Sequence, residues 1–178
     1  FNSTPEKGIT RFSYTDEDRK ARDYLLRQME ELDLDITVDP IGNIRAKREG
    51  TNPDALPILA GSHIDTVLHG GKYDGVVGVV TALEALTVLE EADITTEAPV
   101  ELIVFVEEEG ANFGSPLAGS KALVGDYRVD DFKELINDDG LSMYQAAKDF
   151  GFNPEQMDEY IISPGEIKTM LEVHVEQS

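Results

Sequence analysis

The sequence predicts an α/β fold, a mixed and mostly parallel sheet flanked by helices, and two observations lead to it. Segments of helical period alternate with short apolar runs rich in Val, Ile and Leu, the order expected of βα units. The chemically versatile side chains gather where those runs end, and functional groups of open α/β sheets collect outside the carboxyl ends of the strands.

Each element has its own signal. Thr15 precedes "DEDRKARDYLLRQMEELDL", whose acidic first turn and apolar Ala21, Leu25, Met29 and Leu32 predict an N-capped amphipathic helix. Ile36 and Val38, then Ile44 and Ala46, alternate on either side of a Pro40–Gly42 turn and predict two short strands. "PILAGS" reads as a buried strand, and "GVVGVVTALEALTVLEE" as a helix that is apolar nearly all round at its start and therefore largely buried. The β-branched run "PVELIVFV" fits a strand covered on both faces. Beyond the Gly- and Ser-punctuated stretch "EGANFGSPLAGSKALVG", "LSMYQAAKDFG" reads as a helix and "KTMLEVHV" as a last strand.

Composition narrows the function. At 178 residues and 40% apolar content the chain can close one sizeable core. Its net charge of −21 repels phosphate backbones and anionic bilayers, so neither nucleic acid nor a membrane is an expected partner, whereas divalent cations are compatible. The absence of cysteine removes disulfides, thiolate zinc sites and thiol nucleophiles, and fits a cytoplasmic location. Opening at Phe1 and stopping after "MLEVHVEQS", the chain is expected to be a fragment.

Three clusters fall at the strand ends: His63 after "PILAGS", Glu107 to Glu109 after "PVELIVFV", and His174 in "MLEVHVEQ". Imidazole and carboxylate together suit zinc, manganese or cobalt, and a histidine ligand needs an acceptor to fix its tautomer, which Asp65 could supply to His63. Asp74 stands before a helix among glycines and could bridge two ions. Adjacent Glu108 and Glu109 offer a metal ligand and a free base. Singly, each has an ordinary reading: Asp74 as a helix cap, the "EEE" run as a solvated turn, His69 as an exposed loop residue, Met143 and Tyr144 as packing. An EF-hand type of calcium-binding module fits poorly, because aligning Gly140 or Gly75 with its turn glycine puts Leu135 or Gly70 at the first ligand position.

From about Gly8 onward the blocks "GITRFSYTDEDRKARDYL", "DPIGNIRAKREG", "GSHIDTVLHGGKYDGVVGV", "EEEGANFGSPLAGSKA" and "LEVHVEQ" together resemble the M20-type dinuclear metallohydrolases, in the hydantoinase/carbamoylase branch. That branch holds N-carbamoyl-L-amino-acid hydrolases, allantoate amidohydrolases and β-ureidopropionases. The resemblance implies the N-terminal portion of a catalytic domain over residues 1–178, with a lid or dimerisation domain and a C-terminal catalytic segment lying outside it. It implies two divalent ions, zinc or manganese, held by His63, Asp74, Glu109 and His174. It implies that Asp65 orients His63, that Glu108 is the general base, that Gln177 contacts substrate and that Glu107 is a bystander. The expected activity is cleavage of a carbamoyl or ureido C–N bond in a small molecule, by a homodimer. The block that ends "EQG" in the family ends "EQS" here. Another peptidase or aminoacylase activity of the M20 type is the nearest alternative, and a non-catalytic acidic metal-binding or assembly module is the alternative of another class.

Overall fold

The structure, a computed structural model, describes residues 1–176. Helix α1 spans Asp16–Glu31 and starts where the sequence places it: Thr15 is extended and its side chain accepts from the Asp18 amide. Strands β1 (Asp35–Val38) and β2 (Ile44–Arg48) form the expected hairpin, followed by β3 (Ile58–His63), α2 (Val76–Glu91) and β4 (Val100–Phe105). The remaining elements are α3 (Ala118–Leu123), α4 (Val129–Glu134), α5 (Met143–Phe150), a 3-10 helix (Pro154–Tyr160) and β5 (Thr169–Leu171).

The strands form one mixed sheet in the order β1-β2-β4-β3-β5, antiparallel at β1–β2 and β2–β4, parallel at β3–β4 and β3–β5. One face carries Ile44, Ala46, Leu102 and Val104 and is covered by Leu25 and Met29 of α1 and Val79, Ala82 and Leu86 of α2. On the other face Leu59 and Ile103 pack with Leu123. A second core, including Ile41, Val106, Phe113, Phe132 and Met143, lies beyond the end of β4. Central β4 is thus buried on both faces, as its continuous apolar run requires.

Two expectations need correction. Helix α2 is not largely buried: Val80 is 51% exposed and Val88 52%, because the helix lies on the sheet and keeps an outer side in solvent. The last strand is only three residues long, all exposed, so His174 lies past its end. Among the described residues no helix is long and apolar enough to cross a membrane.

Candidate metal centre

Parallel pairing ends β3 and β4 together, with His63 opposite Phe105, so the segments after both strands leave the sheet side by side. On the other side of β3, Leu171 pairs with Ala60; three residues further along each chain come His174 and His63. The topology therefore brings together the three clusters found in the sequence.

His63 is fully buried, and its Nδ1 lies 2.9 Å from the Asp65 backbone carbonyl. A carbonyl only accepts, so Nδ1 carries a proton, and in the neutral ring that a cation requires Nε2 then presents the lone pair. His174 repeats the arrangement, its Nδ1 lying 2.8 Å from the Val175 carbonyl. The two Nε2 atoms face each other at 3.4 Å, with the rings stacked 5.7 Å apart. Asp74 Oδ1 lies 3.4 Å from the His174 Nε2, and Glu108 Oε2 lies 3.4 Å from the His63 Nε2. Ligand atoms of His63, Asp74 and His174, and likewise of His63, Glu108 and Glu109, converge within 4.8 Å. Neutral imidazole lone pairs and carboxylate oxygens aimed at one point are the donor set of a borderline divalent cation, so these residues fit zinc or manganese.

The surroundings are shaped for this convergence. Gly75 caps the N-terminus of α2 at φ +62, and a Cβ there would sit 2.4 Å from the His63 Nε2, so a side chain would occupy the place where a ligand to that nitrogen must stand. Arg11, buried, donates from Nε to the Ile64 carbonyl at 2.7 Å and so holds the segment between His63 and Asp65. Asp65 supports His63 differently from the expectation. Its backbone carbonyl is the near acceptor and its carboxylate Oδ1 stands off at 3.7 Å, because that carboxylate accepts from the amides of Glu108 and Glu109 at 3.2 and 3.0 Å. Asp65 thereby ties the β3 end to the glutamate loop.

Acidic groups crowd the site. Burial pushes the Asp65 carboxyl up to about 6, with His63 and the two amides opposing the rise. Burial also lifts Glu109 to about 7, helped by a hydrogen bond with Asp74 and by the Asp74 charge. Two carboxyls that share a proton in this way are where a cation would replace it. Glu107 rises to about 7 through burial and then the Asp65 charge. Expected to be a bystander, it is 1% exposed and accepts from the Asn112 and Phe113 amides at 3.0 and 2.8 Å. Sequence reasoning missed it, together with Asn43 and Ser13, which hold the same loop. Their only signal was their place inside the blocks "DPIGN" and "RFS". His69 is an exposed loop residue, as expected. The expected substrate contact, Gln177, lies outside the described residues.

Comparison with known proteins agrees with this geometry. The model of peptidase family M28 matches residues 43–171, well over half of the chain. The chain belongs to peptidase family M28. The N-carbamoyl-L-amino acid amidohydrolase of Geobacillus stearothermophilus is 37% identical over 173 residues, covering 97% of this chain and 42% of that protein. The allantoate amidohydrolase of Bacillus subtilis is 32% identical over 177 residues, covering 99% of this chain and 42% of that protein. A crystal structure of a hydantoinase/carbamoylase family amidase from Burkholderia ambifaria superposes with a TM-score of 0.88 at 33% identity, covering 99% of this chain and 42% of that one. The resemblance to the hydantoinase/carbamoylase branch is thus borne out, and the M28 match is consistent with the M20-type placement. The chain spans about two fifths of the length of the curated relatives it matches.

Proposed function

We propose that the complete protein is a metal-dependent amidohydrolase that cleaves the carbamoyl C–N bond of an N-carbamoyl amino acid, with allantoate as the second candidate substrate. The observation that carries the reading is the pair of Nδ1-protonated histidines whose Nε2 lone pairs meet at 3.4 Å beside Asp74. Relatives named for N-carbamoyl-L-amino acids and allantoate support the ureido class of substrate.

His63, Asp74 and His174 would hold one divalent cation, and Glu109 with Asp74 a second, Asp74 bridging the two. Bound there, zinc or manganese would polarise the ureido oxygen and lower the pKa of a water. Glu108 stands next to both groups of ligands, its side chain 26% exposed, so it can reach a water from the open side of the site. In this reading Glu108 takes the proton from the attacking water and returns it to the leaving nitrogen. Asp65 keeps the His63 tautomer through its carbonyl and holds the Glu108 and Glu109 backbone through its carboxylate.

The test is ammonia release from N-carbamoyl-L-amino acids and from allantoate by the metal-loaded complete protein. Glu108→Gln should keep near-normal metal content and lose at least about 10²-fold in turnover, whereas Glu109→Gln should lower metal occupancy. Equal losses of activity with full metal in both variants would contradict this division of labour. The family match to peptidases favours hydrolysis of a dipeptide as the second reading. Dipeptide turnover exceeding that of every ureido compound would favour it over the first.

A further inference from the structure

Besides Asp65, the loop that carries Glu108 and Glu109 is held by side chains to which the proposed chemistry gives no role. Four consecutive N–H groups leaving β4 each donate to a side-chain oxygen from elsewhere in the chain. Val106 donates to Asn43 Oδ1 and Glu107 to Ser13 Oγ, both at 3.0 Å, and Glu108 and Glu109 donate to the Asp65 carboxylate at 3.2 and 3.0 Å. The carbonyls are taken as well: Val106, Glu107 and Glu108 accept from Gly119, Ala118 and Leu117 at 3.0, 3.1 and 2.7 Å.

The acceptors are themselves fixed. Asn43 Nδ2 donates to Asp39 Oδ2 at 2.6 Å, and Asp39 Oδ1 accepts from the amides of Ile41, Gly42 and Asn43. Ser13, Asp39 and Asn43 are all buried. The "DPIGN" turn and the serine of "RFS" therefore act on a loop that follows them by 63 and 94 residues.

Glu107 is the centre of this arrangement. It sits at φ +49, a conformation in which glycine would be the unstrained choice, and a turn in solvent would leave its carboxylate hydrated. Instead the carboxylate is buried and folds back onto the Asn112 and Phe113 amides, closing the loop that Glu108 and Glu109 begin. We propose that Glu107 is a positioning residue: by binding the far end of its own loop, it fixes the backbone of Glu108 and Glu109 so that both carboxylates face His63, with Asn43 and Ser13 fixing the loop's entry. This rests on the reading of Glu108 as the proton acceptor. Its consequence follows from how steeply rate depends on placement, since a shift of about 1 Å in a reacting group costs about 10²-fold.

The experiment compares Glu107→Ala with Glu107→Gln in the complete protein, and adds Ser13→Ala, which removes the acceptor of the Glu107 amide together with the hydroxyl's hydrogen bond to the Glu107 carboxyl, and leaves the Asn112 and Phe113 contacts in place. Glutamine keeps an oxygen for the Asn112 and Phe113 amides, and alanine does not. Per folded, metal-replete molecule, Glu107→Ala should lower kcat about 10- to 100-fold with KM within about twofold, and Glu107→Gln should recover kcat to within about fivefold. In the metal-free protein, amide hydrogen exchange should accelerate over residues 106–113 in Glu107→Ala while β4 stays protected, and Glu107→Gln should restore protection. Ser13→Ala should show the same pattern at lower amplitude, and it carries the comparison if Glu107→Ala does not fold. Undiminished kcat in Glu107→Ala, an equal loss in the glutamine variant, or unchanged kcat and exchange in Ser13→Ala would overturn the proposal. Glu108→Gln run in parallel separates the two levels. Its inactivity beside a fully active Glu107→Ala defeats the positioning role alone, whereas full activity of Glu108→Gln defeats the reading beneath it.

Discussion

His63 and His174 face each other across 3.4 Å, yet the two halves of the site that they represent are built in opposite ways. His63 ends a six-residue strand paired on both sides, is fully buried, and belongs with Asp65 and the glutamate loop to a network in which successive amides have fixed partners. His174 follows a three-residue strand with every residue exposed, and its side chain is 28% exposed. Among the described residues, two contacts past the strand show how its segment is held. Ser62 Oγ donates to Glu172 at 2.6 Å, and the Val173 carbonyl lies where a Cβ on Gly78 would come within 2.6 Å. The first half is preorganised by the core. The second is a short strap laid over it, and a shared cation would join them.

The most severe way to break this arrangement is to remove the residue both ions would share. Asp74→Ala in the complete protein is expected to abolish stoichiometric binding of two divalent ions, while His69→Ala leaves it intact. Elemental analysis after exhaustive dialysis checks this, and two tightly held ions in the Asp74→Ala protein would contradict it.

The histidines should fail differently. His63→Ala empties a buried position and should lower both metal affinity and the stability of the metal-free protein, by about 2 kcal/mol or more. His174→Ala should weaken metal binding comparably while changing metal-free stability by less than about 0.5 kcal/mol. Calorimetric metal titration and denaturant melts of the two variants separate these effects, and equal destabilisation would erase the distinction between core and strap.

A smaller effect follows from protonation in the preorganised half. Asp65, Glu107 and Glu109 have folded-state values raised to about 6, 7 and 7 from ordinary values of 3.8, 4.5 and 4.5. The folded chain then holds protons that the unfolded chain has released, so this contribution favours the fold at low pH and is lost as pH rises toward 7. Thermal melts of the metal-free protein should show a stability that falls by a few degrees between about pH 5 and pH 7.5. Added zinc should restore more at pH 7.5 than at pH 5, because metal competes with protons for the same oxygens. A metal-free melting point that rises over that interval would contradict the raised values of these three carboxyls.

The contrast between the halves also explains what was legible in the sequence. Periodicity revealed α1, α2, α5 and the strands, because each is long enough or apolar enough to carry its pattern. Six-residue α4 and the 3-10 helix are too short for a period to register. His63, Glu108, Glu109 and His174 after strand-like runs, and Asp74 before a helix, stood out by their conjunction within the family blocks, since each alone reads as an ordinary polar residue. Glu107 did not, since a glutamate run looks the same in sequence whether solvated or buried. Only its positive φ and its two amide partners distinguish it. Ser13 and Asn43 are common turn residues whose partners lie 94 and 63 positions away, a relation that no local pattern encodes. The tautomers of His63 and His174 depend on backbone carbonyls, which sequence does not show.

Anomalous diffraction at the zinc edge, from zinc-soaked crystals of the complete protein, tests the central claim most directly. A zinc peak is expected about 2.0–2.2 Å from the Nε2 atoms of both His63 and His174 and from an Asp74 oxygen, with both Nδ1 atoms still on their carbonyls. Zinc bound elsewhere, or His174 turned away from His63 with zinc present, would contradict it.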